Sequence, residues 1–453
     1  MCPAILKVLL VGAAVCAVAA ASMAADPWVA AGSARDGYAI TATVDHADGL
    51  YKAGERVVFT IHLTRNDQAV AQGEVGYEVI GNGAIDVKKG TAPLGPNGAT
   101  VAIEHKGPIC LTLVAKYKVD GMNVILYKAG AVVDPYQLRP CVSEPEDFDA
   151  FWAEQKKKLA ALPMNAKLTP VPNDPTANAY PGPEVESFDV QADCLGGAPL
   201  SGYLSRPKNA KPKSLPATIH FHSAGVHSSD LKLTTALAKG NQLGMDINAH
   251  GIPNGRPEAY YTNLAYTTLR SYGDIGLESW ETSYLLGMYL RIMRSIEFLA
   301  SQPEWDGKTI IAEGTSQGGG QALIAAGLDA RVTLFSAGCP TFCNLAASSV
   351  GQAAGFPFGL RKLNPKELAT VRYFDACYHI KRAKAAGVFR VGVIDEVCWP
   401  AGMFAAYNLL PGKKFLVTAP TTHSPWCSPD AANKAQAKDQ EFFRALRTEE
   451  LKR

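Results

Sequence analysis

Five residues, Gly314-Thr315-Ser316-Gln317-Gly318, constrain this chain more than any others. They join a short apolar run, Thr309-Ile310-Ile311-Ala312, to a small-residue helical pattern from Gly319 to Ala326. Strand, G-x-S-x-G, helix is the context in which a serine is held on a sharp turn with its hydroxyl presented at the end of a sheet. The flanking glycines lack the Cβ atoms that would clash on such a turn. The helix that follows points its free N–H groups at any negative charge developing beside Ser316. The pattern predicts a hydrolytic nucleophile at Ser316; a Gly-rich structural turn is the alternative.

The rest of the chain provides the sheet such a turn requires. From Val185 onward strand-like runs alternate with helical ones: Ala217–His222, Gly244–Asn248, a long helix from Tyr284 to Leu299, then Val332–Ala337, Phe389–Ile394 and Lys414–Thr418. Alternation of this kind predicts a largely parallel sheet covered on both faces. The region from 36 to about 135 reads differently. Runs such as Arg56–Leu63 and Cys110–Ala115 are rich in β-branched and apolar residues and are punctuated by Asp48-Gly49, Gly81-Asn82-Gly83, Pro96-Asn97-Gly98 and Asp120-Gly121. Short strands so spaced predict a small all-β, immunoglobulin-like sandwich. A Pro-containing linker from Asp134 to Pro145 leads into an amphipathic helix over Glu146–Leu162, and Thr169–Pro183 reads as a Pro/Asn-rich loop. The predicted organisation is a signal segment over 1–24, a sandwich over 26–138 and an α/β catalytic domain over 139–453.

The signal reading rests on Lys7, the apolar stretch Val8–Ala21 and the small residues Ser22 and Ala24, which suit cleavage after Ala24. An uncleaved anchor is the alternative; bulky Val15 before Cys16 speaks against lipidation there. The expected product is secreted or periplasmic, without stable membrane insertion. A net charge of +2 supplies no electrostatic footprint for nucleic acid. Eight cysteines remain after cleavage, Cys110, Cys141, Cys194, Cys339, Cys343, Cys377, Cys398 and Cys427. Disulfides are permitted but not required in a domain of this size.

A serine nucleophile needs a base, and the base needs an acid to hold its tautomer. In the α/β-hydrolase fold these follow in the order Ser, Asp, His on loops at the C-terminal ends of later strands. Asp395 follows the run ending at Ile394, and His423 follows the next strand; Glu396 is the rival acid. The oxyanion requires two backbone donors, predicted to be the N–H of Gln317 and one from the loop His222-Ser223-Ala224-Gly225. His220, His222, His227 and His250 invite a metal reading, but no carboxylate at ligand spacing joins them, so no metal or other cofactor is expected. His222 is placed on the oxyanion loop and His250 at the mouth of the site, against substrate.

These residues resemble the acetyl xylan esterase / cephalosporin C deacetylase family, carbohydrate esterase family seven, over roughly residues 140 to 440. The likeness is carried by Tyr373-Phe374-Asp375 through Ala383-Lys384, by Gly392-Val393-Ile394-Asp395, Pro400 and Phe404-Ala405-Ala406-Tyr407-Asn408, and by the entry helix Asp147–Trp152. It implies catalytic roles for Ser316, Asp395 and His423, and it places the family's oxyanion tyrosine on His222, a change that a backbone donor survives. The family's Arg-Gly-Gln motif is replaced by Asn248-Ala249-His250-Gly251, and its His-Glu pair reads His423-Ser424. The family often forms ring-like hexamers, so a homo-oligomer is among the implied partners; the N-terminal sandwich is a departure that would block or redirect that assembly.

The expected function is an exported serine esterase that removes O-acetyl groups from acetylated xylan or xylo-oligosaccharides, with an acetylated oligosaccharide or other small acyl ester as its partner. A prolyl-oligopeptidase-like peptidase is the first alternative, although the N-terminal segment is too short for a propeller. A non-catalytic carbohydrate-binding protein on a hydrolase scaffold is the second.

Overall fold

In the computed structural model residues 34–120, 124–172, 181–419 and 423 are described. The signal segment, Gly121, most of the Pro/Asn-rich loop, Ser424 and Cys427 lie outside them. The N-terminal region is two antiparallel-rich sheets packed face to face, each of five strands. Strand Arg56–Arg65 shows why: Val57, Phe59, Ile61 and Leu63 point into the core, while the residues between them do not. That two-residue period is what a strand with one buried face demands. Asn82 and Gly83 both take positive φ in the turn joining Glu74–Gly81 to Ile85–Pro93, as a tight hairpin requires.

The catalytic region is built on one nine-stranded sheet. Its strands, numbered along the chain, are β1 (Lys167–Pro170), β2 (Val185–Ala192), β3 (Leu200–Pro207), β4 (Leu215–Phe221), β5 (Leu243–Ile247), β6 (Trp305–Thr315), β7 (Leu334–Gly338), β8 (Ala386–Gly392) and β9 (Lys414–Ala419). They lie in the order β1-β2-β3-β5-β4-β6-β7-β8-β9. The first three pair antiparallel, as does β3 with β5, and every later pairing is parallel. This is an α/β-hydrolase sheet preceded by a β sandwich. One sequence expectation is corrected: Thr169 and Pro170, read as loop, end β1. They sit at the sheet edge, where a proline need not break the ladder.

The helices used below are α1 (Phe148–Ala161), α2 (Leu231–Lys239), α3 (Tyr284–Ala300), α4 (Gln317–Leu328) and α5 (Pro400–Leu409). Helix α3 is buried almost all round, and it carries two buried arginines. Arg294 donates to the carbonyls of Leu159 and Leu162 at 2.9 and 3.0 Å. A cation thereby meets the partly negative C-terminus of α1, where Leu159 O also accepts the Leu162 N–H at 3.1 Å. Arg291 donates to Ala249 O through Nε and a guanidinium NH2 at 2.9 and 2.7 Å, fixing the loop after β5.

The sandwich packs directly on the end of β8. Cys110, Val132 and Leu138 share an apolar cluster with Val391, Val393, Cys398, Met403 and Phe404. A Cβ on Gly130 would stand 2.4 Å from Ile394 and 2.7 Å from Val393 O, so the two backbones meet only because this residue is glycine. The loop that begins at Asp395 is therefore seated against both regions.

Candidate active site

Ser316 sits between β6 and α4 with φ 60° and ψ −120°, a conformation that costs a non-glycine residue roughly 1–3 kcal/mol. The strain is locked in by contact. A Cβ on Gly318 would fall 1.8 Å from Phe221 O, and one on Gly314 2.5 Å from the Gly318 carbonyl carbon. Neither neighbour admits a side chain, and the first turn of α4 lies flush on the end of β4.

At this elbow Ser316 Oγ lies 2.9 Å from His423 Nε2, and His423 Nδ1 lies 2.8 Å from Asp395 Oδ2. All three side chains are buried. Asp395 Oδ1 accepts the N–H groups of Val397 and Cys398, each at 2.8 Å, so the carboxylate is held from both sides. Burial penalises the His423 imidazolium, but the adjoining Cys398 and Asp395 outweigh it and hold His423 above its ordinary value. Burial also pushes the Cys398 thiol up. Glu396 is turned away: it is exposed and pairs with Lys128 of the sandwich at 2.5 Å.

The loop after β4 is cross-braced by the loop after β5. His222 does not turn its ring toward Ser316. Its Nε2 accepts the Ala249 N–H at 3.2 Å, so its proton lies on Nδ1, which donates to Ser223 O at 2.6 Å. Burial holds it well below its ordinary value and therefore neutral. His250 is not at the mouth of the site either. It is 3% exposed, its Nε2–H donates to Gly225 O at 2.8 Å, and its Nδ1 faces the Tyr284 hydroxyl at 2.5 Å. Burial pushes it down to about 4, so Tyr284 is the donor in that pair. His250 thus stands behind the oxyanion loop, with both ring nitrogens committed to the protein.

Tyr272 completes the brace, and nothing in the local sequence Arg270-Ser271-Tyr272-Gly273 marks it. Its hydroxyl accepts the Gly225 N–H at 3.3 Å and donates to Gln317 Oε1 at 2.5 Å. Ser223 Oγ donates to Thr315 O at 3.1 Å. The loop and the elbow are therefore tied twice. Two backbone N–H groups of this loop and elbow have no protein acceptor among the described residues: that of Gln317, the first residue of α4, and that of Ser223.

Two further histidines of this region have protein partners. His220 pairs with the buried Asp246 at 2.6 Å; His227 Nδ1 donates to Ser228 O at 2.9 Å. Among the described residues seven cysteines are free thiols, Cys339 and Cys343 included.

The family description "Acetyl xylan esterase (AXE1)" matches residues 134–438. The chain belongs to the acetyl xylan esterase family. It is 28% identical over 393 residues to the acetyl esterase Axe7A of Xylanibacter ruminicola, covering 84% of this chain and 85% of that one. That span exceeds the stretch from 134 to the C-terminus, so the likeness extends into the sandwich. The acetyl xylan esterase from Paenibacillus sp. R4 superposes with a TM-score of 0.55 at 25% identity, covering 67% of this chain and 98% of that one. Acetyl xylan esterase 1 from Thermoanaerobacterium sp. JW/SL YS485 shares the fold, with a TM-score of 0.54 at 20% identity over 67% and 97% of the two chains. This acetyl xylan esterase family member is a carboxylic ester hydrolase, which sets aside the non-catalytic reading.

Proposed function

We propose that the chain is an exported serine esterase that releases acetate from acetylated xylan fragments through Ser316, His423 and Asp395. The observation that carries the reading is the hydrogen-bonded line from Ser316 Oγ through both nitrogens of His423 to Asp395, at 2.9 and 2.8 Å. In the neutral ring Nδ1–H donates to Asp395, which leaves the Nε2 lone pair for the serine proton.

Ser316 Oγ attacks the acetyl carbonyl while His423 Nε2 takes its proton. The oxyanion is received by the N–H groups of Gln317 and Ser223. Collapse expels the sugar hydroxyl, which regains the proton from His423 and leaves an acetyl-Ser316 intermediate. Water attacks next, again losing its proton to Nε2; collapse expels Ser316 Oγ, which takes that proton back from His423, and acetate departs. The roles of His222 and His250 are to hold the oxyanion loop. Export follows from the segment Lys7–Ala24.

The test is acetate release from acetylated xylo-oligosaccharides by wild type beside Ser316→Ala. Turnover in the variant should fall by about 10⁶, as deletion of such a nucleophile does. Retention of most activity would overturn the assignment.

A further inference from the structure

One buried nucleophilic group at the centre of this site has no part in the reaction as written: the thiol of Cys398. It is three residues past Asp395, in the loop that curls so that its own N–H donates to Asp395 Oδ1. The side chain is 3% exposed, seated in the apolar cluster between sandwich and sheet. Its Sγ, a nitrogen of His423 and an oxygen of Asp395 all lie within 4.8 Å of one another. Three points so placed stand at most about 2.8 Å from their common centre, against zinc–ligand bonds of about 2.0–2.3 Å. Closing the difference takes a contraction of roughly half an ångström or a little more, within reach of small side-chain rotations. Thiolate, imidazole and carboxylate are donors that zinc accepts together, and soft divalent ions are selected by the sulfur.

We propose that Asp395, Cys398 and His423 form a binding site for zinc and similar soft divalent cations that reversibly switches the esterase off. The proposal rests on the catalytic reading above and adds to it a means of inhibition at the same residues. Zinc binds the Cys398 thiolate, the Asp395 carboxylate and His423 Nδ1, with water in the fourth position. The thiol proton leaves to solvent; nothing is oxidised or reduced. Coordination through Nδ1 moves the proton of the neutral ring onto Nε2, the atom that faces Ser316. The ring thereby loses the lone pair that takes the serine proton, and Asp395 loses its hydrogen bond to the ring. Because binding displaces the thiol proton, and a ring proton wherever His423 is charged, inhibition strengthens as pH rises.

The experiment titrates the metal-stripped full-length protein with zinc ion during ester hydrolysis, and with cobalt(II) in an absorbance cell without substrate. Cys398→Ala and the volume-conserving Cys398→Ser are compared with Cys343→Ala, each against its own metal-free rate. Expected is zinc inhibition of wild type and Cys343→Ala, reversed by a chelator and weakened by about 100-fold or more in both Cys398 variants, since even outer-shell partners are worth roughly 10–100-fold in affinity. Cobalt should give a thiolate charge-transfer band in wild type that both Cys398 variants lack. Equal inhibition of all four proteins, absence of inhibition, or a band that survives loss of Cys398 overturns the proposal. The cobalt spectrum needs no turnover. A protein that binds cobalt through Cys398 but whose Ser316 is unreactive toward a fluorophosphonate would refute the catalytic reading and leave the metal site standing.

Discussion

Replacing Tyr272 by Phe removes one oxygen and leaves the ring, which packs against His250, Tyr284 and Phe356. Two hydrogen bonds go with it, from the Gly225 N–H and to Gln317 Oε1. Gln317 is fully buried and its Nε2 already lacks a partner among the described residues. The variant therefore strands the other end of the amide, at about 1–3 kcal/mol for a buried unsatisfied group. The same cut releases the loop bearing Ser223 from the elbow bearing Ser316. Outright loss of an oxyanion donor costs about 10²–10³ in turnover. His250 and Ser223 Oγ still brace the loop, so a fall of roughly 10–100-fold in kcat is expected, with KM changed by less than about threefold. Steady-state kinetics on an aryl acetate, with a thermal melt on the same samples, reads both effects. A melt lowered by a few degrees with kcat within about twofold of wild type would show that Tyr272 only packs, and would refute the claim that it couples loop to elbow.

Three further outcomes follow from the geometry. Asp395→Asn should lower kcat by about 10⁴, as removal of the charge that holds the histidine tautomer does, whereas Glu396→Gln, which breaks only an exposed pair with Lys128, should leave it within about threefold; the reverse order would make Glu396 the acid. The rate of wild type should rise with pH through a midpoint above the ordinary histidine value of 6.5, because His423 is held up and must be neutral to act as base; a midpoint below it contradicts the placement of Asp395. Stability should fall on acidification from 6.5 toward about 4, because His250, pushed down to about 4 by burial, binds a proton more readily in the unfolded chain. The loss from His250 alone is about 3 kcal/mol. His379, pushed down to about 3 by burial, acts in the same direction over the same range. His423 has the opposite sign: its contribution is complete below 6.5 and is lost only as pH rises through its raised folded value. A melting temperature flat between 6.5 and 4 would refute the neutral burial of His250.

Much of this architecture was legible because the α/β-hydrolase sheet writes itself as apolar runs with chemistry at their C-terminal ends. Ser316 follows β6, Asp395 follows β8 and His423 follows β9, so strand order alone brings three distant residues to one edge. The rims of the elements were less legible. Thr169 and Pro170 have loop composition yet pair with Asp189 and Phe188, because an edge strand needs hydrogen bonds on one side only. The oxyanion brace was not legible at all. His222 and His250 stood out as polar residues near a catalytic loop, but their ring directions depend on Ala249, Ser223, Gly225 and Tyr284, contacts between separate loops that no local pattern records. Tyr272 and Cys398 were invisible for the same reason. Each acquires its meaning from a neighbour far off in sequence.

The most direct test of the central claim is to catch the acyl-enzyme. Wild-type protein mixed with an excess of an activated acetyl ester, quenched in acid and digested, should carry one acetyl group on the peptide containing Ser316, and Asp395→Asn should form it far more slowly. An acetyl group on another residue, or turnover with none on Ser316, would contradict the account.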